Sequence, residues 1–195
     1  MKNLISFFQS LRDLIRRKLG VFLFDYNKNL NFDLNQAKSI LFIRNDAKLG
    51  DAIVSSGTIR KIRQQRPDVK IIVLTTPSMQ HLFNAHFGVD KVVTINKRSS
   101  YKAIRSACQE VGEVDLVVTF DLNMKMRELY MLKQIQSKAN LGLESGIGLI
   151  NCDISKKVEG LHFADKFDYI TQLLGLTSKP ENYICLLYTS DAADD

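Results

Sequence analysis

The chain has 195 residues, 45% of them hydrophobic, and carries 27 basic against 21 acidic side chains for a net charge of +6. That length supports one domain with a real core, and the composition is globular rather than disordered, fibrous or disulfide-stapled. No apolar run reaches the roughly 20 residues that cross a bilayer, so the sequence reads as soluble or bound to a surface.

In chain order, Leu4, Phe7, Phe8, Leu11, Leu14 and Ile15 recur at helical spacing, while Arg12, Arg16, Arg17 and Lys18 add positive charge. The pattern predicts an amphipathic helix stopping near Gly20. Such a helix can lie in a membrane interface or pack on the domain or on a missing second half, and its charges interrupt any signal-peptide core. Val21 to Phe24 then reads as a docking segment and the Asn-rich stretch 27–35 as a linker, which makes residues 1–37 a basic leader to the domain that follows.

Ile40, Leu41, Phe42 and Ile43 form an unbroken apolar run, the pattern of a strand buried on both faces of a parallel sheet. A polar turn follows, and Gly50-Asp51 opens a helix: Gly50 permits a tight turn, and Asp51 is an N-cap or first-turn residue facing the positive helix end. Ile53, Val54, Ile59 and Ile62 mark the apolar face of that helix, Arg60, Lys61, Arg63 and Arg66 point elsewhere, and Pro67 stops it. Further strands are expected at Lys70–Thr76, Lys91–Asn96, Asp115–Asp121 and Asn140–Glu144. Helices are expected at Ser78–Phe87, Ser99–Val111, Asn123–Ser137 and Leu161–Leu174, the last closed by Gly175. Alternating strands and helices imply right-handed crossovers and a doubly wound, Rossmann-like parallel sheet over residues 38–184.

In such a sheet ligands bind beyond the carboxyl ends of the strands, which is where Arg44 to Asp51 falls. Asp51 is the candidate for chemistry, because a carboxylate within reach of a hydroxyl can take its proton, and a helix N-terminus favours the ionised form. Capping alone would also explain an aspartate there, and the two roles are compatible. Arg44 and Lys48 could hold anionic groups or pair with Asp46.

The same residues resemble the first strand, loop and helix of glycosyltransferase family 9, which contains the lipopolysaccharide heptosyltransferases: a strand ending in a basic residue, a loop closing in Gly-Asp, then a helix rich in small residues. Arg44, Asp46, Lys48, Gly50 and Asp51 occupy those places. Pro67-Asp68-Val69-Lys70-Ile71, Val89-Asp90-Lys91-Val92-Val93 and Phe120-Asp121-Leu122 extend the likeness over roughly residues 38–175. The loop is one residue longer than the common form, and Ser55-Ser56-Gly57 replaces the usual threonines and proline, which marks a divergent branch.

The resemblance implies the N-terminal, acceptor-binding half of a two-domain GT-B enzyme. Transfer would invert the anomeric centre, with Asp51 as general base. Arg44, Asp46, Lys48, Gly50, Asp121 and Arg127 would contact the acceptor, a lipopolysaccharide core or lipid A glycolipid. The donor, ADP-heptose or a similar nucleotide sugar, would be bound mainly by a C-terminal domain absent from this sequence, and the fragment alone would be inactive. No other cofactor is implied. The place of action would be the cytoplasm, with peripheral contact at the inner face of the bacterial inner membrane.

Cys185 to Asp195 resembles a translated sequencing adapter and is set apart from the fold. Without its three aspartates the net charge rises from +6 to +9, and 14 basic against six acidic side chains lie within residues 1–70. That excess favours an anionic partner; nucleic acid is disfavoured because the charges are not interleaved with stacking aromatics. Cys108 and Cys152 read as buried free thiols. His81 and His86, five apart, do not share a helix face well, and no metal site is expected. Gly142, Gly146 and Gly148 read as turn glycines rather than a phosphate loop. The rival to a transferase is a non-catalytic Rossmann-like module that holds an anionic partner on its basic face.

Overall fold

A computed structural model of the chain describes residues 2–45 and 48–177. Six strands, β1 (Ser39–Arg44), β2 (Lys70–Thr75), β3 (Lys91–Thr94), β4 (Val114–Val118), β5 (Ser137–Gly142) and β6 (Cys152–Asp153), form one sheet in the order β3-β2-β1-β4-β5-β6. Every pairing is parallel. The helices are α1 (Lys2–Phe24), α2 (Leu49–Gln65), α3 (Gln80–His86), α4 (Tyr101–Val111), α5 (Met126–Gln134) and α6 (Phe163–Leu173). The expected Rossmann-like doubly wound sheet is therefore present.

The unbroken apolar run of β1 has the role its pattern implies. Ile40 and Phe42 enter one core with Ile59 and Ile62 of α2, Phe83 of α3 and Phe167 and Ile170 of α6. Leu41 and Ile43 enter the opposite core with Ile104 of α4 and Leu129 and Leu132 of α5. Burying both faces removes any reason for polar alternation.

Helix α1 does not stop at Gly20. It continues to Phe24, and Gly20 is buried against α5. A Cβ on Gly20 would lie 2.9 Å from the Met126 Cα and 3.0 Å from the Leu129 Cδ1, so the glycine serves close helix approach rather than termination. Phe24 packs edge-on to Tyr130 at 5.2 Å, and Lys125 pairs with Asp13 at 2.7 Å. Arg17 donates to the Met124 carbonyl at 3.1 Å and pairs with the buried Glu144 carboxylate, which also accepts from the Met124 N–H at 2.8 Å.

The stretch expected as a linker is strapped down. The Asp25 carboxylate accepts from the N–H groups of Gly148 and Leu149 at 3.0 and 2.9 Å, and Asp33 caps a 3-10 turn, Leu34–Gln36. Gly148 is a packing glycine, since its Cβ would meet the Tyr26 carbonyl oxygen at 2.7 Å; Gly146, at φ 83°, is a turn glycine.

Two basic residues expected off the apolar face of α2 are held by specific partners. Lys61 is 2% exposed and reaches Asp168 at 3.5 Å across the α2 and α6 contact. Arg63 binds the carbonyls of Gly88, Pro67 and Val69 and the Asp90 carboxylate at 2.6 Å. Helix α2 is covered by the sheet on one side and α6 on another, so its pattern is less amphipathic than its isoleucines suggest. Strand β5 begins three residues before Asn140, and the buried Asn140 amide finds polar partners in Ser137 and the Leu149 carbonyl.

Asp115 joins the amino ends of β1 and β4: it accepts from the Lys38 and Ser39 N–H groups at 2.8 and 3.1 Å and pairs with Lys138 at 2.7 Å. Burial alone would raise its pKa, but Lys138, the Lys38 N–H and Ser39 outweigh it and hold the carboxyl below the usual value. A lowered native pKa means that the unfolded chain takes up the proton first. The Asp115 contribution is therefore complete above the unfolded value near pH 4 and is lost as pH falls through the lower native value. Chemical melts of Asp115→Asn are expected to show a shallower loss of stability over that acid window than the parent.

Burial pushes the Cys108 thiol up to about 12. With so little thiolate, Cys108 is expected to resist a maleimide in the native protein near neutral pH and to react on unfolding, which mass spectrometry will read directly.

Candidate active site

Strand order locates the site. The chain winds outward from β1 to β2 and β3, then crosses to β4 on the other side of β1. The topological switch point thus lies between β1 and β4, where the loops after them diverge and leave a crevice.

Arg44, the last residue of β1, is 7% exposed. Its carbonyl accepts from the Thr75 hydroxyl at 2.8 Å, and its guanidinium carbon lies 5.7 and 5.9 Å from the ring centres of Phe163 and Phe167. Those rings pack with Phe120, two residues beyond β4, at 5.6 and 4.6 Å. An aromatic wall beneath a guanidinium restrains it and favours its charge. Arg44 then meets Asp51 at 3.7 Å.

Asp51 is not the N-cap. Lys48 holds that position and makes no side-chain cap bond, while Asp51 is in the first turn with its side chain 32% exposed. Capping therefore does not explain this aspartate, though the helix dipole still favours it. Lys48, 70% exposed, approaches the same oxygen of Asp51 at 3.9 Å, so the carboxylate has one buried and one exposed cation beside it. Gly50 lies within the helix and does not have a positive φ, unlike the tight-turn role expected of it. A Cβ there would meet nothing within 4 Å, which leaves bare backbone on the approach to Asp51.

Asp121, just past β4, donates its N–H to the Thr119 hydroxyl at 3.4 Å and borders a narrow crevice with Asn45, Thr119 and Glu128. It shares the switch point with the end of β1. Asp46 lies outside the described residues. Arg127 lies in the first turn of α5 and lines a different cleft with Arg16, Lys97, Tyr101 and Lys125, which none of Arg44, Lys48 and Asp51 borders. A broader cleft of about 520 Å³, bordered by Leu122, Leu143, Ser145 and Lys166, opens past the ends of β4 and β5.

The aromatic wall was not foreseen. Phe120, Phe163 and Phe167 come from two elements far apart in sequence, and only the Phe163 and Phe167 spacing of four hinted at a shared helix face. Among the described residues no three His, Cys, Asp or Glu side chains gather as metal ligands. His81 and His86 meet edge-on at 5.9 Å, nearer than regular helical spacing suggests.

No protein-family model matches the chain, and no curated protein matches its sequence. Solved structures do match its fold, glycosyltransferases among them. A family 9 glycosyltransferase from Veillonella parvula superposes with a TM-score of 0.59 at 17% identity, over 81% of this chain and 48% of its own. The E. coli heptosyltransferase WaaC, solved with ADP-2-deoxy-2-fluoro heptose, gives 0.57 at 15% identity, over 74% of this chain and 51% of its own. The same enzyme with ADP gives 0.58 at 14% identity, over 74% and 50%. The chain thus shares the Rossmann-like fold of GT-B glycosyltransferases and spans about half the length of these structures.

Proposed function

We propose that this chain is the N-terminal, acceptor-binding half of an inverting glycosyltransferase that moves a heptose or related sugar from a nucleotide donor to a lipopolysaccharide core or lipid A glycolipid. The observation that carries the reading is Asp51, set in the first turn of α2 at the switch point, half-open to solvent and not consumed by capping. Its carboxylate takes the acceptor hydroxyl proton as the oxygen attacks the sugar. Arg44 fixes the position of that carboxylate, and Lys48 neutralises anionic groups on the acceptor as they arrive. Asp121 contributes to the acceptor side of the same crevice, and the bare backbone at Gly50 lets the sugar come close.

On this reading the donor belongs to a second domain; the WaaC structures, of which this chain spans about half, were solved with ADP or an ADP-sugar. ADP-heptose is the first donor to offer. The test is a transfer assay on the complete gene product with ADP-heptose and a lipid A acceptor, run beside residues 1–184 alone. Transfer is expected from the complete protein and none from the fragment. Salt-sensitive binding of the acceptor without turnover by the complete protein would support the non-catalytic module instead.

A further inference from the structure

Helix α1 docks through one face and leaves the other bare. Arg17, Gly20, Val21 and Phe24 turn toward α5 and the core behind it. The opposite arc carries Phe7, Phe8, Leu11, Ile15, Leu19 and Phe22, all exposed, with Phe22 at 84%. Apolar exposure of this extent on one helix marks a contact surface.

Beside that arc lies a basic cleft of about 250 Å³. Arg16 of α1, Lys97 from the loop after β3, and Lys125 and Arg127 at the start of α5 line it with Tyr101. Glu128, the one acidic residue of its lining, already accepts from the Lys125 N–H at 3.2 Å, and Lys125 is paired with Asp13. Arg16, Lys97 and Arg127 are exposed.

We propose that the bare face of α1 seats on an anionic phospholipid bilayer, with its aromatic and aliphatic side chains in the acyl boundary and a lipid phosphate in the cleft of Arg16, Lys97 and Arg127. Charge placement selects this occupant. Lys18 falls within the apolar arc, between Phe7 and Leu11 in projection at about 100° per residue. A protein interface would bury that ammonium in its centre, where lysine is depleted. At a bilayer the lysine stem lies along the apolar surface and its charge reaches the phosphates. No described helix is long and apolar enough to cross a membrane, and the proposed seating needs none, since α1 would lie along the bilayer surface. Glu128 also borders the crevice containing Asn45 and Asp121, so the seated face would bring the switch point close to the membrane plane.

The inference goes beyond the transfer reading and does not depend on it, since bilayer binding needs neither donor nor Asp51. The test is sedimentation of the full chain with phosphatidylcholine vesicles and with vesicles that also contain phosphatidylglycerol, over a salt series. The parent is expected to pellet with the anionic vesicles and to release as salt rises. The triple variant Phe8→Glu, Ile15→Glu, Phe22→Glu changes only exposed positions and is expected to lower partition by at least about tenfold with an unchanged melting curve. Lys97→Glu with Arg127→Glu is expected to lower it by roughly fivefold or more and to flatten the salt dependence. Asp51→Asn is expected to pellet like the parent, which separates this inference from the catalytic one. Equal binding to both vesicle types would overturn the phosphate cleft. Absence of binding together with a concentration-dependent dimer that the triple variant dissolves would assign the face to a second copy of the chain and overturn the proposal.

Discussion

Under the proposed transfer function, Asp51→Asn is expected to lower kcat of the complete protein by about 10²–10⁴-fold, the range for loss of a general base, with little change in the acceptor KM. Asparagine keeps the size and hydrogen-bonding reach of aspartate but cannot accept the hydroxyl proton. The structural cost is small. Asp51 makes no cap bond, its partners Arg44 and Lys48 are 3.7 and 3.9 Å away, and Arg44 retains its place over Phe163 and Phe167. The loss in stability is limited to roughly 0.3–1 kcal/mol from the weakened interaction with the helix N-terminus. The measurement is single-turnover transfer alongside a urea melt. A folded variant that turns over near the parental rate removes Asp51 from the base role.

The second large effect lies where α1 meets the domain. Arg17→Ala is expected to destabilise the chain by about 3 kcal/mol, the low end for breaking a buried ion pair because Arg17 is itself partly exposed. Glu144 is 6% exposed, and in the variant it would keep only the Met124 N–H while the Met124 carbonyl lost its donor. Most of the cost would thus come from the carboxylate left behind. Glu144→Gln on the Arg17→Ala background is therefore expected to recover stability, since a neutral amide is cheaper to bury alone. Urea melts of the parent, both single variants and the double variant give the coupling directly. An Arg17→Ala variant within about 0.5 kcal/mol of the parent would mean that water reaches Glu144 and that the pair does not fasten α1.

The sequence made the sheet readable because β1 is uniformly apolar and Pro67 and Gly175 mark real helix ends. It also made the position of Asp51 readable, since a strand, a polar turn and a helix start are local events. What escaped it depends on which segments meet. Gly20 has the signature of a helix stop, yet it is small because Met126 lies against it. Lys61 and Arg63 carry surface chemistry, yet α6 covers one and the loop carbonyls near Gly88 bind the other. Neither Arg17 nor Glu144 stands out, because a charge pair separated by most of the chain leaves no spacing to detect. Likewise, nothing near Arg44 in sequence announces the phenylalanines beneath its guanidinium.

The docking of α1 also fixes an order of events during synthesis. Arg17 and the carbonyl it binds at Met124 are 107 residues apart, so α1 waits for a partner element made long after it. At roughly 5–20 residues per second the ribosome needs about 5–20 s to bridge that gap. Throughout that interval both sides of α1 are bare, the side that will meet α5 and the side that stays outward. The nascent chain therefore offers an apolar helix face before it has a domain to hold it.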